Sequence, residues 1–242
     1  MSKNIKKNIK AFKVDLDSRE NQSILKSSTR CSNNQTHQIN EAAEKIHELI
    51  ENAPYSNDNI VLKRNEIKEA FFSPFKPQLK NAQVFLSHSH ADINKALEVK
   101  NYLENQIKRK VFIDSLFWDY KDDVLNKLAK YDDISRIEDA FTLILRESLE
   151  CMIKKCPYFV FLQSKNSVSL NQDLLKITYS AWIYEELKIA NTLIADTTIK
   201  ESHIKAMRIS YDITNLLGRF KPISLDSLCK KIAFNLITKD AK

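Results

Sequence analysis

The chain has 242 residues, 43% hydrophobic and 29% charged, enough for one substantial core and ordinary for a globular protein. Its single glycine, Gly218, excludes a glycine-rich phosphate loop or a GxGxxG dinucleotide turn, and argues against an all-β fold built on tight hairpins. The net charge of +7 raises nucleic acid and anionic lipid as partners, but much of the excess lies in Lys3, Lys6, Lys7, Lys10 and Lys13 and reads as a solvated tail.

Cys31, Cys151, Cys156 and Cys229 show neither CxxC spacing nor paired His ligands. They read as thiols of a reducing cytoplasm, with no zinc site and no disulfide frame. No apolar run approaches the roughly 18 residues of a membrane span, and the lysine-rich start has no apolar region behind it, so a cytoplasmic chain without signal peptide is expected.

Residues 1–36 are rich in Lys, Asn, Ser and Gln and are expected to form a disordered basic arm. Residues 37–80 read as a helical extension. One helix carries Ala42, Ala43, Ile46, Leu49 and Ile50 and ends near Pro54; a second runs from Leu62 through Ile67, Ala70 and Phe71 to Pro74 and Pro77. These helices could pack on the main domain or bind a partner.

From residue 82 to 238 short apolar runs alternate with amphipathic ones. Val84-Phe85-Leu86 predicts a strand and Ser87-His88-Ser89-His90 a polar loop. Asp92 is placed to cap a helix whose apolar face is Ile93, Ala96, Leu97, Leu103 and Ile107. Val111 to Asp114 predicts a second strand. Val124, Leu125 and Leu128 mark a helix, Tyr131-Asp132-Asp133 an interruption, and Ile137 to Ile153 a longer helix. Tyr158 to Leu162 is apolar on both faces, as a central parallel strand requires. A fourth strand is expected within Ile204–Ile213, and a last helix over Leu225–Leu236 capped by Ser224. This alternation predicts an α/β protein with a doubly wound parallel sheet, whose ligand site lies beyond the carboxyl ends of the strands.

The segment Ser180-Ala181-Trp182-Ile183-Tyr184-Glu185-Glu186-Leu187 opens a helix with Ser180 as N-cap. Ile183, Leu187, Ala190 and Ile194 fall on one stripe of its helical wheel. Glu185 points away from that stripe. Glu186 sits at its edge, one turn beyond Trp182, which makes it the candidate for chemistry.

Val84-Phe85-Leu86-Ser87-His88-Ser89, Val111-Phe112-Ile113-Asp114 and Ser180-x-Trp182-x-x-x-Glu186-Leu187, in that order, resemble three motifs of the Toll/interleukin-1 receptor (TIR) domain. The likeness covers roughly Ala82 to Thr238. It is nearest to bacterial members in its aromatic segment Trp118-Asp119-Tyr120; where many members have Cys, this chain has Ile183. The resemblance implies a flavodoxin-like sheet and an NAD+ glycohydrolase that releases nicotinamide with ADP-ribose or a cyclic isomer, in bacterial anti-phage defence. It also implies no cofactor beyond NAD+ as substrate, self-association through the domain, and an upstream sensor or downstream effector.

The family's catalytic glutamate maps onto Glu186. Nicotinamide in NAD+ is already a cationic leaving group, so one carboxylate can stabilise the oxocarbenium-like transition state. Trp182 or Trp118 could stack on a ring of the dinucleotide, or simply pack. Ser87 and His88 could contact ribose or phosphate, and Ser164 could add a hydroxyl. Asp114 reads as ordering the loop after its strand. Animal adaptor TIR domains assemble without catalysis, so a non-catalytic scaffold is the alternative.

Overall fold

A computed structural model describes residues 9–26, 44–49, 51–52, 55–56, 59–60, 63–72, 82–113, 122, 124–126, 129, 135–172, 174–194 and 210–240. The chain divides into two compact units. The first comprises Met1–Cys31, Ala82–Asp114 and Glu150–Lys242, and the second Ser32–Asn81 and Ser115–Leu149.

The first unit is built on strands β1 (Lys10–Asp15), β4 (Ala82–Ser87), β5 (Lys110–Ile113), β6 (Tyr158–Gln163) and β10 (Lys221–Pro222). All neighbours pair in parallel, in the order β10-β1-β6-β4-β5. Helices α1 (Arg19–Lys26), α3 (Ile93–Ile107), α5 (Ala181–Ile194), α6 (Thr214–Gly218) and α7 (Leu225–Asp240) flank it. A small antiparallel sheet, β7 (Ser169–Leu170), β8 (Lys176–Thr178) and β9 (Tyr211–Asp212), sits just ahead of α5.

Two adjacent residues of β1 show that both faces are covered, because successive strand side chains point oppositely. The Phe12 ring lies 5.6 Å from Lys231 Nζ of α7. The Lys13 Nζ instead donates to Leu217 O of α6 at 3.1 Å. Helix α7 packs on α3, and α3 on α1, so these three share the Phe12 side. On the Lys13 side α5 packs on α6. Burial and the nearby Lys176 hold the Lys13 ammonium below its usual pKa.

The core is aromatic where the register aligns it. Phe159 stands opposite both Phe85 and Ala11; it stacks on Phe85 at 5.5 Å and meets Phe220 edge-on at 5.5 Å. These rings lie on the α5/α6 face, and the buried Val84, Leu86, Val160 and Val14 line the other.

Residues 10–15 depart from the expected basic arm. They form a strand between β6 and β10, with Phe12 and Val14 buried, and Leu16 and Leu25 beyond it are buried too. Lys10 and Lys13 masked an alternation of apolar residues that spans only six positions. The expected strand within Ile204–Ile213 also differs. Its described end, Tyr211–Asp212, pairs antiparallel with β8 rather than joining the main sheet, and 195–209 lie outside the described residues. Lys221–Pro222, which no periodicity marks, supplies the edge strand instead.

In the second unit, helical residues 44–49 bury Ile46, and α2 (Arg64–Phe72) buries Ile67 and Ala70, as the periodicity predicts. A short hairpin, β2 (Tyr55–Ser56) and β3 (Asn59–Ile60), lies between them in sequence. Helix α4 (Ser135–Lys155) contains the expected Ile137–Ile153 helix, with Phe141, Leu145, Leu149 and Met152 buried on one face. Among the described residues no helix is long and apolar enough to cross a membrane.

Candidate functional site at the carboxyl edge of the sheet

The chain leaves β4 for β5 on one side and then crosses back to β6 on the other. The gap between the carboxyl ends of β4 and β6 is therefore the switch point, where open α/β sheets bind ligands. Ser87 ends β4, and His88 follows it. Ser164 follows β6, and Leu16, just past β1, donates its N–H to Gln163 O at 2.8 Å.

Ser87 stands opposite Phe161 in register, so its side chain points to the α5 face. Its hydroxyl is fully buried and has no hydrogen-bond partner among the described residues. Such a group loses hydration without compensation. His88 is buried beside it.

Asp92 and Ser164 are joined directly. The Ser164 hydroxyl donates to Asp92 Oδ2, and Asn166 Nδ2 donates to Asp92 Oδ1 at 2.9 Å. Ser164 Oγ in turn accepts the N–H groups of Asn166 and Ser167 at 3.0 and 3.2 Å. Asp92 occupies the N-cap position of α3, as its sequence place predicts, but its carboxylate makes no capping bond to that helix. It ties the loop after β4 to the loop after β6 instead. Asp17 extends the tie at the surface, accepting Lys165 N–H at 3.0 Å and facing Lys95 Nζ at 3.4 Å.

Helix α5 begins where its sequence predicts. Ser180 Oγ accepts the N–H of Ile183 at 3.2 Å, and Ser180 O accepts that of Tyr184 at 3.2 Å. At the other end Ile9 N–H donates to Leu193 O at 3.4 Å. The carboxyl end of α5 thus lies at the amino end of β1, and the helix runs antiparallel to the sheet. Its first turns, bearing Trp182 and Glu186, lie toward the carboxyl edge, Glu186 roughly 10 Å along the axis from Leu193 at 1.5 Å per residue.

Glu186 is 0% exposed. The wheel put it at the boundary of a stripe, and the structure puts it inside. The reason is that α5 meets β1, β8 and α6, so its buried arc is wider than the Ile183–Leu187–Ala190 stripe alone. Asn191 shares that arc, donating to Leu187 O at 2.8 Å and Leu216 O at 3.2 Å. Glu185, the expected solvent residue, is half-buried, as is Trp182. The Tyr184 ring stacks on Tyr211 of β9 at 4.9 Å, fixing the small sheet against the first turn of α5.

The switch-point loops thus bring together Ser87, His88 and Ser164, while Trp182 and Glu186 enter the same half of the first unit on α5. Trp118 and Asp114 lie outside the described residues. Asn166 and Ser167 belong to this edge and were not singled out from sequence, and Asp92, expected only as a helix cap, ties the two loops; short polar residues such as those at 164–167 are the kind that build such a turn. No group of three or more His, Cys, Asp or Glu among the described residues is placed to hold a metal ion.

No protein-family model matches the chain, and neither the curated proteins nor the solved structures contain a match. The edge carries one fully buried carboxylate, one buried hydroxyl without a partner among the described residues, one buried imidazole and a half-buried indole.

Proposed function

We propose that residues 82–238 form a TIR domain and that the chain is an NAD+ glycohydrolase. It would cleave the nicotinamide–ribose bond to give nicotinamide plus ADP-ribose or a cyclic ADP-ribose isomer. The observation that carries the reading is Glu186, a carboxylate wholly buried near the capped start of a helix that points at the carboxyl edge of the sheet. Once ionised, a carboxylate in so dry a setting would act strongly on a developing oxocarbenium. Because the leaving group is already cationic, no general acid is needed, and Glu186 can work alone. Ser87 supplies a hydroxyl to the ribose or phosphate, His88 a polar neighbour, and Trp182 a ring face. Substrate reaches Glu186 only when the groups that cover it move aside.

The strand order supports the same reading. β5, β4 and β6 lie in the order 2-1-3 of a flavodoxin-like sheet, counted from residue 82. The next position, which the fourth strand of such a domain would take, is filled by β1 from ahead of the domain. In this account the protein is a cytoplasmic effector of bacterial anti-phage signalling that acts on NAD+ once self-association or a sensor assembles it.

A non-catalytic assembly module is the second reading. What favours it is an exposed apolar surface beside α5: Leu170, Leu174 and Tyr179 are 62%, 77% and 51% exposed. The deciding experiment is nicotinamide release from NAD+ by concentrated protein, with Glu186→Gln and Glu185→Gln beside wild type. Loss of release in Glu186→Gln alone supports the enzyme. Equal behaviour of the two variants removes Glu186 from the chemistry, and silence from all three favours the module.

A further inference from the structure

At the amino edge of the same sheet, opposite the candidate site, lies a cavity of about 350 Å³. Its origin is the brevity of β10. Only Lys221 and Pro222 pair with β1, opposite Phe12 and Lys13, so Lys10 and Ala11 extend below the end of the ladder. Phe220 has turned into the core against Phe159, which carries the chain away at Arg219. The end of α5 and the flank of α7 close the sides.

The walls are apolar at Ile9 and Ala11 and cationic at Lys10, Arg219, Lys221 and Lys231, with no acidic side chain among the described lining residues. The cations come from three elements and the turn before β10. Arg219 is held in place, its Nη1 donating to Asn191 O at 3.2 Å. Lys231 and Lys10 lie over aromatic rings, Nζ 5.6 Å from the Phe12 centroid and 5.9 Å from that of Tyr158. A backbone donor adds to them. Lys10 N–H is spent on Pro157 O, on the β6 side. Strand alternation turns the Ala11 N–H to the other side, where β10 has already ended.

We propose that this cavity binds a small phosphate-bearing ligand. An Arg fork, ammonium groups and a backbone N–H turned past the end of the ladder are the donors that phosphate oxygens take. The volume admits a diphosphate or a nucleotide phosphate tail but sits at the lower limit for whole cofactors. Because the cavity lies at the opposite edge from Glu186, this site and the NAD+ chemistry stand or fall separately.

The test is calorimetric titration of the full chain with pyrophosphate, then with ATP, and with sulfate as an oxyanion control. Wild type is expected to bind pyrophosphate, and Lys221→Glu to weaken binding at least about tenfold, the loss of one charge-assisted hydrogen bond. Lys221 is exposed, so the unfolding midpoint of that variant should be unchanged. Arg219→Gln should weaken pyrophosphate binding by a similar factor. Equal affinities for pyrophosphate and ATP mean that the site reads phosphate alone; tighter ATP binding, still lost in Lys221→Glu, means that it takes a nucleotide. The proposal is overturned if pyrophosphate gives no saturable binding, if sulfate binds as well, or if Lys110→Glu, at an exposed position on β5, weakens binding as much. Tight binding of single-stranded RNA without measurable pyrophosphate affinity would also overturn it.

Discussion

Ser164 donates its hydroxyl to the carboxylate of Asp92, joining the loop after β6 to the loop after β4 across the switch point of the sheet. Both side chains are buried. Ser164→Ala leaves Asp92 Oδ2 short of a donor in a place water does not reach, and should cost about 1–3 kcal/mol. Asp92→Ala removes the acceptor of both Ser164 and Asn166. Urea unfolding of the two single variants and the double variant should be clearly non-additive, because the second substitution has no bond left to break. Additive losses would mean that the two loops are held independently.

Ser87 presents the opposite case. Its buried hydroxyl has no partner among the described residues, so Ser87→Ala should leave stability unchanged or raise it by up to about 1 kcal/mol. If the hydroxyl is kept for a ligand, the same variant raises the KM for NAD+ more than it lowers kcat. A variant that is more stable and keeps its KM would make Ser87 a packing residue only.

How much of this was legible in the sequence follows from how far each signal reaches. The strands β4, β5 and β6 and the helices α3, α4, α5 and α7 are marked by their own periodicity, and Ser180 announces its cap. Strand β1 carries the same alternation in Phe12 and Val14, but two lysines in six residues placed it with the basic tail. Long lysines can run their stems along apolar surface and keep the head polar, which is how Lys13 reaches Leu217 O. Strand β10 is two residues long and contains Pro222, so no local signal exists. At the site, spacing set Glu186 nearer the buried stripe than Glu185, and Glu186 is the more buried of the two. Its complete burial was not legible, because that depends on β8 and α6, which pack on α5 from elsewhere in the chain. The Asp92–Ser164 bond spans 72 positions and leaves no local trace.

The start of α7 offers a comparison between a local and a distant cap. Ser224, the expected N-cap, accepts Ser227 N–H at a long 3.5 Å and is solvent-accessible. Asn21 of α1, 2% exposed, accepts Leu225 N–H at 2.9 Å and donates to Asp15 O at 2.8 Å. Asn21→Ala strands the buried Leu225 N–H, while Asp15 O keeps the Ser18 hydroxyl at 3.0 Å, and should cost about 1–3 kcal/mol, against less than about 1 kcal/mol for Ser224→Ala. Denaturant midpoints rank the two directly. Equal losses would mean that the distant cap holds α7 no more firmly than the local one.

Cys229 on α7 links burial to pH. Burial pushes its thiol up from 9.0 to about 11; a hydrogen bond with Tyr102 works against that shift, and the nearby Asp226 adds to it. Tyr102 is raised as well, again chiefly by burial. A thiol that ionises later in the folded state than in the unfolded one gives stability that is complete below pH 9.0 and lost as pH rises through about 11. Thermal midpoints should therefore fall over that window, and less steeply in Cys229→Ala. The same shift predicts reactivity, since the thiolate is the nucleophile. Near neutral pH, iodoacetamide should modify the exposed Cys151 well before Cys229, read by peptide mass mapping. Parallel midpoint curves for wild type and Cys229→Ala, or early alkylation of Cys229, would show that the thiol is neither as buried nor as hard to ionise as its surroundings require.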